Sequence, residues 1–294
     1  MDEAAPVAVV LGAGGLLGSA LCRQLPADGW RLVAAPHAAC DIRDAAALRA
    51  LLEGARPAVV FNAAAFTDVD RAELEPELAR AVNAEAPETV ARVAADTGAK
   101  IVHYSTDFVF DGQLDRPYHE GDRPSPLCAY ARTKAEGDAR LAAASPRHVI
   151  LRVGGLYQHG GRNFPSRVAA RLRAGETIRA DDERRVAPTW IREVAAVSSR
   201  LARTEHQGLF HCMAHGETTW AGFARRVAEL LGLRDARIQS VGSDELALRA
   251  ARPRCALLDN RALQALGLDT LSRWDAGLRS SLASTGAAGQ DRAP

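Results

Sequence analysis

Five apolar residues, Val7-Ala8-Val9-Val10-Leu11, run directly into Gly12-Ala13-Gly14-Gly15-Leu16-Leu17-Gly18, after which Leu17, Leu21 and Leu25 recur at helical spacing. A buried strand that passes through a glycine turn into a helix is the opening unit of a doubly wound α/β sheet. Glycines there permit a tight turn and a close approach of backbone to a pyrophosphate, which sits at the positive end of the helix. Gly12, Gly15 and Gly18 satisfy GxxGxxG, so Gly12, Gly14, Gly15, Leu16, Leu17 and Gly18 are candidates for cofactor binding. An ordinary turn that binds nothing is the alternative.

The next strand covers residues 31–35, and its end is informative for what it lacks. NAD sites usually place Asp or Glu there to hold the ribose 2′-hydroxyl, whereas a 2′-phosphate needs room and positive charge. Here the chain reads Pro36-His37-Ala38-Ala39-Cys40-Asp41, with no carboxylate at the strand end itself. NADPH is therefore the expected cofactor, with NADH as the alternative, and His37 is a candidate contact. Asp41 and Ile42 are candidates for the adenine pocket; equally, Asp41 could cap the helix that begins near Ala45. A third strand over residues 58–61 ends in Asn62-Ala63-Ala64-Ala65, whose small side chains leave space for a ligand to cross the sheet edge. The strand over residues 100–104 ends in Ser105-Thr106-Asp107-Phe108-Val109-Phe110-Asp111-Gly112, and its two hydroxyls can either bond a substrate carbonyl or cap the backbone. Residues 149–153 read as the sixth strand.

Tyr130-Ala131-Arg132-Thr133-Lys134 sets a phenol and an ammonium four residues apart, which on a helix places both on one face, one turn apart. A free tyrosine titrates at about 10. A nearby cation favours the phenolate and moves that value toward neutrality, so the pair can trade a proton with a carbonyl. Taken alone, the spacing also fits a half-buried tyrosine beside a solvated lysine.

Charge excludes some partners. The 37 basic and 36 acidic residues leave a net charge of +1, which argues against nucleic acid or an anionic membrane as the main partner. No apolar run approaches the roughly 18 residues of a membrane span. An acidic start, Met1-Asp2-Glu3, does not read as a signal peptide. Five scattered cysteines with no CxxC pair point to a reducing, cytoplasmic setting with cysteines as small apolar fillers, Cys128 included.

The glycine loop, NAAA, STDFVFDG and YxxxK occur in the order and spacing of the extended short-chain dehydrogenase/reductase superfamily. More narrowly, the chain resembles the dTDP-4-dehydrorhamnose reductase family through Cys40-Asp41-Ile42, residues 62–70, Val82-Asn83, residues 105–112, and Tyr118, Glu120, Pro124, Pro126 and Tyr130. The resemblance implies catalytic roles for three residues. Thr106 is the hydroxyl beside the substrate carbonyl, Tyr130 is the proton donor, and Lys134 holds the nicotinamide ribose while lowering the tyrosine's pKa. It implies substrate contacts at Thr106, Asp107, Val109, Phe110, Tyr130 and position 155. There the chain departs from the pattern, because Gly155 stands where the family usually has a tryptophan that contacts the sugar. A charged segment over residues 179–190 replaces the usual glutamine and glycine. Arg184 and Arg185 in it are candidates for a diphosphate, since arginine forks suit one. Trp190 either stacks on a thymine or anchors the next helix. Arg252, in a segment like the family's RPxxSxLD, is a further candidate, while Arg152 reads as a structural arginine.

The implied architecture is α/β: a doubly wound, mostly parallel Rossmann sheet over residues 1–150, a smaller interwoven substrate-binding part over 151–283, and a disordered tail over 284–294. The implied activity is reduction of the 4-keto group of a dTDP-4-keto-6-deoxy sugar, with a small nucleotide sugar as partner. No pattern names metal ligands, and a homodimer is left open. Two alternatives stand beside it: an epimerase or dehydratase that keeps NAD tightly bound, and a non-catalytic regulatory subunit resembling that of methionine adenosyltransferase.

Overall fold

Alternation of short β-branched runs with amphipathic stretches builds a parallel sheet covered on both faces. The computed structural model describes residues 5–158, 160 and 163–288, the last four as helix backbone. The strands are β1 (Val7–Leu11), β2 (Arg31–Ala35), β3 (Val59–Asn62), β4 (Lys100–Thr106), β5 (His148–Val153), β6 (Leu156–Tyr157), β7 (Ile178–Asp181), β8 (Thr189–Trp190), β9 (Gly208–His211) and β10 (Ile238–Val241). The helices are α1 (Leu16–Ala27), α2 (Ala45–Ala55), α3 (Val69–Ala72), α4 (Pro76–Arg80), α5 (Ala86–Asp96), α6 (Ala129–Ala144), α7 (Phe164–Arg173), α8 (Ile191–Ala202), α9 (Trp220–Leu230), α10 (Arg261–Ala265) and α11 (Trp274–Ala288).

Six strands form the main sheet in the order β2-β1-β3-β4-β5-β9, every pair parallel. The strand over residues 148–153 is therefore the fifth in the chain, and β9 is the sixth of the sheet. Side-chain alternation divides the core. Ala8, Val10, Phe61, Val102 and Leu151 face Leu21 and Leu25 of α1 and Val194, Val197 and Leu201 of α8. Val9, Leu11, Val60, Ile101 and Ile150 face Leu48 and Leu52 of α2 and Val90 and Val93 of α5. Since α8 and β9 complete this layer, the second half of the chain returns to the first. The remaining part packs around Tyr157, Val168, Phe223 and Leu278. It includes two short parallel pairs, β7 with β10 and β6 with β8.

Three local expectations change. Asp44, not Asp41, caps α2, accepting from the amides of Ala46 and Ala47 at 3.0 Å. Residues 218–224 read as a helix opening on a Thr218 cap, but Thr219 caps α9 by accepting from Gly222 N at 2.9 Å. Helix α11 runs through residues 284–288, where a disordered tail is expected; residues 289–294 lie outside the described residues. Leu278, fully buried, anchors that helix, and the alanines and serines that follow can prolong it at little cost. Among the described residues no helix is long and apolar enough to cross a membrane.

The strand order reverses between β1 and β3, and in open α/β sheets a ligand crevice opens at that switch, outside the carboxyl ends of the strands.

Candidate active site

A cavity of about 490 Å³ lies at that switch point. Its floor is made by Gly15, Leu16 and Leu17 at the start of α1 and by the run from Asn62 to Ala65 after β3. Gly15 precedes α1 with no side-chain cap, so the first-turn amides are left to face the cavity. Gly12, Gly14 and Gly18 do not line it. Gly12 has φ of +72°, and a Cβ on it would stand 2.7 Å from Ala64 N. A Cβ on Gly18 would be driven into the Gly12 carbonyl. These two glycines let the loop close against β3, which brings Gly15 and Ala63 to one surface.

The other wall comes from β4 and α6. Tyr130 and Lys134 lie one turn apart on α6, and both line the cavity with Thr106. Lys134 is buried, and its Nζ donates to Tyr104 O at 2.7 Å and stands 3.2 Å from His103 Nε2. Burial lowers its pKa to about 8, against the opposing charge of Asp138 one turn on. Tyr130 differs from expectation. Burial pushes its phenol above the ordinary tyrosine value, with the Thr106 hydroxyl pulling the other way. The phenol thus holds its proton firmly.

Thr106 both caps and faces the cavity. Its Oγ1 accepts from Phe108 N at 3.2 Å and donates to Asp107 Oδ1 at 2.9 Å. Asp107 is buried against Gly154, where any Cβ would stand 2.5 Å from the carboxyl carbon. Burial raises its pKa to about 7, with the Thr106 bond opposing. A carboxyl raised on folding contributes stability below its unfolded pKa and loses it as pH rises through the folded value. The Asp107 contribution should therefore fall by about 2–3 kcal/mol between about pH 5 and pH 8.5, so the wild type should lose that much stability relative to Asp107→Asn over this range. Urea unfolding of both proteins at the two pH values checks this; equal slopes would mean that the carboxyl is ionised throughout.

Several expected contacts lie elsewhere. His37 is exposed and does not line the cavity. Asp41 holds Arg43 Nε at 3.0 Å, and Ile42 is buried in the core with Val9 and Leu11, so neither lines the cavity. Val109 and Phe110 are also corrected: they are core residues, the Phe110 ring stacked on Tyr118 at 4.2 Å. Arg185 is tied to Glu217 at 2.6 Å on a half-exposed surface. Trp190 packs between the two halves of the molecule, with Arg192 over its ring, and so anchors α8. Arg152 is buried and pairs with Asp138 at 3.4 Å.

Arg184 and Arg252 line a second cavity of about 390 Å³. Each is fixed by a carboxylate, Arg184 by Asp181 at 2.6 Å and Arg252 by Asp70 at 2.8 Å. Asp70 adjoins Val69, which lines the first cavity, so α3 joins the two. Gly155, with φ of +57°, does line the first cavity, together with Trp220 from α9. No sequence motif singles out Trp220. Phe164 and Phe223 hold its ring, at centroid distances of 4.8 and 6.2 Å. Cys128 is a buried thiol raised by its surroundings and acts as filler. Among the described residues no group of three or more His, Cys, Asp or Glu is placed to hold a metal ion.

Known proteins resemble this chain over most of its length. A dTDP-4-dehydrorhamnose reductase of Streptomyces griseus is 38% identical over 93% of this chain and 92% of its own length. A dTDP-4-keto-6-deoxy-D-glucose reductase of Streptomyces niveus is 34% identical, covering 92% of this chain and 94% of its own. The crystal structure of the Bacillus anthracis dTDP-4-dehydrorhamnose reductase in complex with NADP superposes with a TM-score of 0.92 at 26% identity, covering 95% of this chain and 99% of that one. The family model described as RmlD substrate binding domain matches residues 7–286, and the chain belongs to that family.

Proposed function

We propose that this chain is an NADPH-dependent reductase of the 4-keto group of a dTDP-4-keto-6-deoxy sugar. The observation that carries the reading is the convergence of Thr106, Tyr130 and Lys134 on one cavity whose other wall is the glycine turn. The first turn of α1 and the small residues from Asn62 to Ala65 fit a dinucleotide: Gly15, Leu16 and Leu17 would hold its pyrophosphate, and Lys134 its nicotinamide ribose. NADPH, when bound, supplies the hydride.

The side chains supply alignment and the proton. Negative charge builds on the ketone oxygen as its carbon is reduced, so donors aimed at that oxygen stabilise the transition state more than the ground state. Tyr130, kept protonated by burial, gives up its proton only when a stronger base forms beside it. Thr106 is the second donor. Below about pH 7 a protonated Asp107 can give its own hydrogen to Thr106 Oγ1, which frees the Thr106 hydrogen for the cavity. Trp220 and Gly155 flank the sugar, and Arg184 and Arg252 receive the diphosphate across α3. The two relatives named above are described as acting on different deoxy sugars. The choice between them belongs to Gly155 and Trp220.

A panel of dTDP- and UDP-linked 4-keto sugars, each with NADPH and with NADH, tests this. Loss of the reduced cofactor's absorbance should be fastest with NADPH and a dTDP-4-keto-6-deoxy sugar. Protein purified with NAD tightly bound, inverting a sugar without net oxidation, would instead identify an epimerase.

A further inference from the structure

Lys134 has a buried partner whose hydrogen bonding depends on the lysine's charge. His103, in the middle of β4, is wholly enclosed, and both of its ring nitrogens are engaged: Nε2 with Lys134 Nζ at 3.2 Å and Nδ1 with the Asn62 side-chain nitrogen at 3.2 Å. Asn62 is its register partner across β3 and β4. Burial and the adjacent Lys134 charge hold the imidazole neutral. A neutral imidazole has one N–H and one lone pair, so it cannot accept at both nitrogens.

Two arrangements satisfy every group. In the first, Lys134 is an ammonium and donates to Nε2; Nδ1 then carries the hydrogen and needs the Asn62 carbonyl oxygen, so the amide must be turned over. In the second, Lys134 is an amine whose lone pair accepts Nε2–H. Nδ1 then accepts from Asn62 Nδ2, and Asn62 Oδ1 accepts from Ala64 N, at 3.3 Å. The amide stands in the second arrangement. The bond from Nζ to Tyr104 O at 2.7 Å is donated in both.

We infer that Asn62, His103 and Lys134 form one hydrogen-bonded unit, in which a change of charge on Lys134 is accompanied by a switch of the His103 tautomer and a turn of the Asn62 amide. The hydrogens balance. On deprotonation one hydrogen passes from Nζ to Nε2, and the hydrogen on Nδ1 leaves to water at the cavity as Asn62 turns, a net loss of one proton. Uptake reverses both steps. The charged and titratable groups around the pair are Asp138 on α6, which pairs with Arg152 of β5, and Tyr130 and Asp107, which line the same cavity as Lys134. Of these, Asp138 is the one that bears on Lys134, and it favours the ammonium. His103 is thus a positioning residue for Lys134, and Asn62 carries the lysine's charge state to the cavity wall beside Ala64. The inference goes beyond the reductase reading and does not depend on which sugar is reduced.

The test uses the full chain without ligand, so it is independent of the reductase assay. Long-range proton–nitrogen correlation spectra of protein labelled at histidine nitrogen report the tautomer as pH is raised through the Lys134 titration at about 8. His103 should change from Nδ1–H to Nε2–H with the midpoint of Lys134 Nζ. Lys134→Arg, which keeps its charge over this range, should hold the ring at Nδ1–H throughout, and Lys134→Met should abolish the pH dependence. A single wild-type tautomer across the range, or a switch that persists in Lys134→Met, would overturn the inference.

Discussion

Tyr130→Phe is expected to lower kcat by about 10²- to 10⁴-fold, the usual contribution of a positioned general acid, with little change in NADPH affinity. The substitution removes one hydroxyl and keeps the ring. That ring packs edge-on against Phe108 at a centroid distance of 6.1 Å and against Ala72, Ala79 and Ala129, so the phenyl group should sit as the phenol does. What is lost is a donor in a buried cavity, where it stabilises developing charge far more than it would in water. Thr106 remains as a second donor, so a residual rate is expected. Single-turnover kinetics with NADPH saturating separates the chemical step from binding. A loss smaller than tenfold would place the proton donor elsewhere.

The second large effect is expected at Gly18. A methyl there would meet the Gly12 carbonyl and stand 2.9 Å from Ala13 Cα, and neither is the end of a flexible side chain. The turn would have to open, at a cost of about 1–3 kcal/mol by analogy with overpacked cores. Because Gly12 in turn rests on Ala63 and Ala64, that opening displaces the surface proposed for the pyrophosphate. Gly18→Ala should therefore weaken NADPH binding by about tenfold to a hundredfold and lower the unfolding free energy together with it. Gly14→Ala is the matched control. Its Cβ would meet only Pro36 Cβ, at an ordinary 3.8 Å, so it should leave stability unchanged. Fluorescence titration of NADPH and urea unfolding on both variants give the comparison; equal behaviour of the two would remove the packing role assigned to Gly18.

Much of the fold was legible because it rests on short-range patterns. The apolar run of β1, its glycine turn and the leucines of α1 are adjacent in the chain, and the Tyr130 and Lys134 spacing is a property of one helix. Motif matching misses neighbours that come from outside the motif. Phe110 sits in the same motif as Thr106, but Tyr118 stacks on it and takes it into the core. Asp41 reads as an adenine contact until Arg43, two residues on, is seen to occupy it. Trp220 follows Lys134 by many elements, and only the packing of α9 on Phe164 brings it to the cavity. The role expected of Lys134 toward Tyr130 was likewise a matter of burial. Spacing predicts that the two are neighbours, whereas the direction in which the phenol moves depends on its desolvation.

Hydride should pass from NADPH to C4 of a dTDP-linked sugar in the cavity of Thr106, Tyr130 and Lys134. The most direct measurement uses NADPH carrying deuterium on the transferred position of its nicotinamide, with a dTDP-4-keto-6-deoxy sugar and the product analysed by mass spectrometry and NMR. One deuterium per molecule, bound at sugar C4 and formed far more slowly with Tyr130→Phe, is the expected result. A product without deuterium at C4, or equal incorporation by the wild type and Tyr130→Phe, would contradict it.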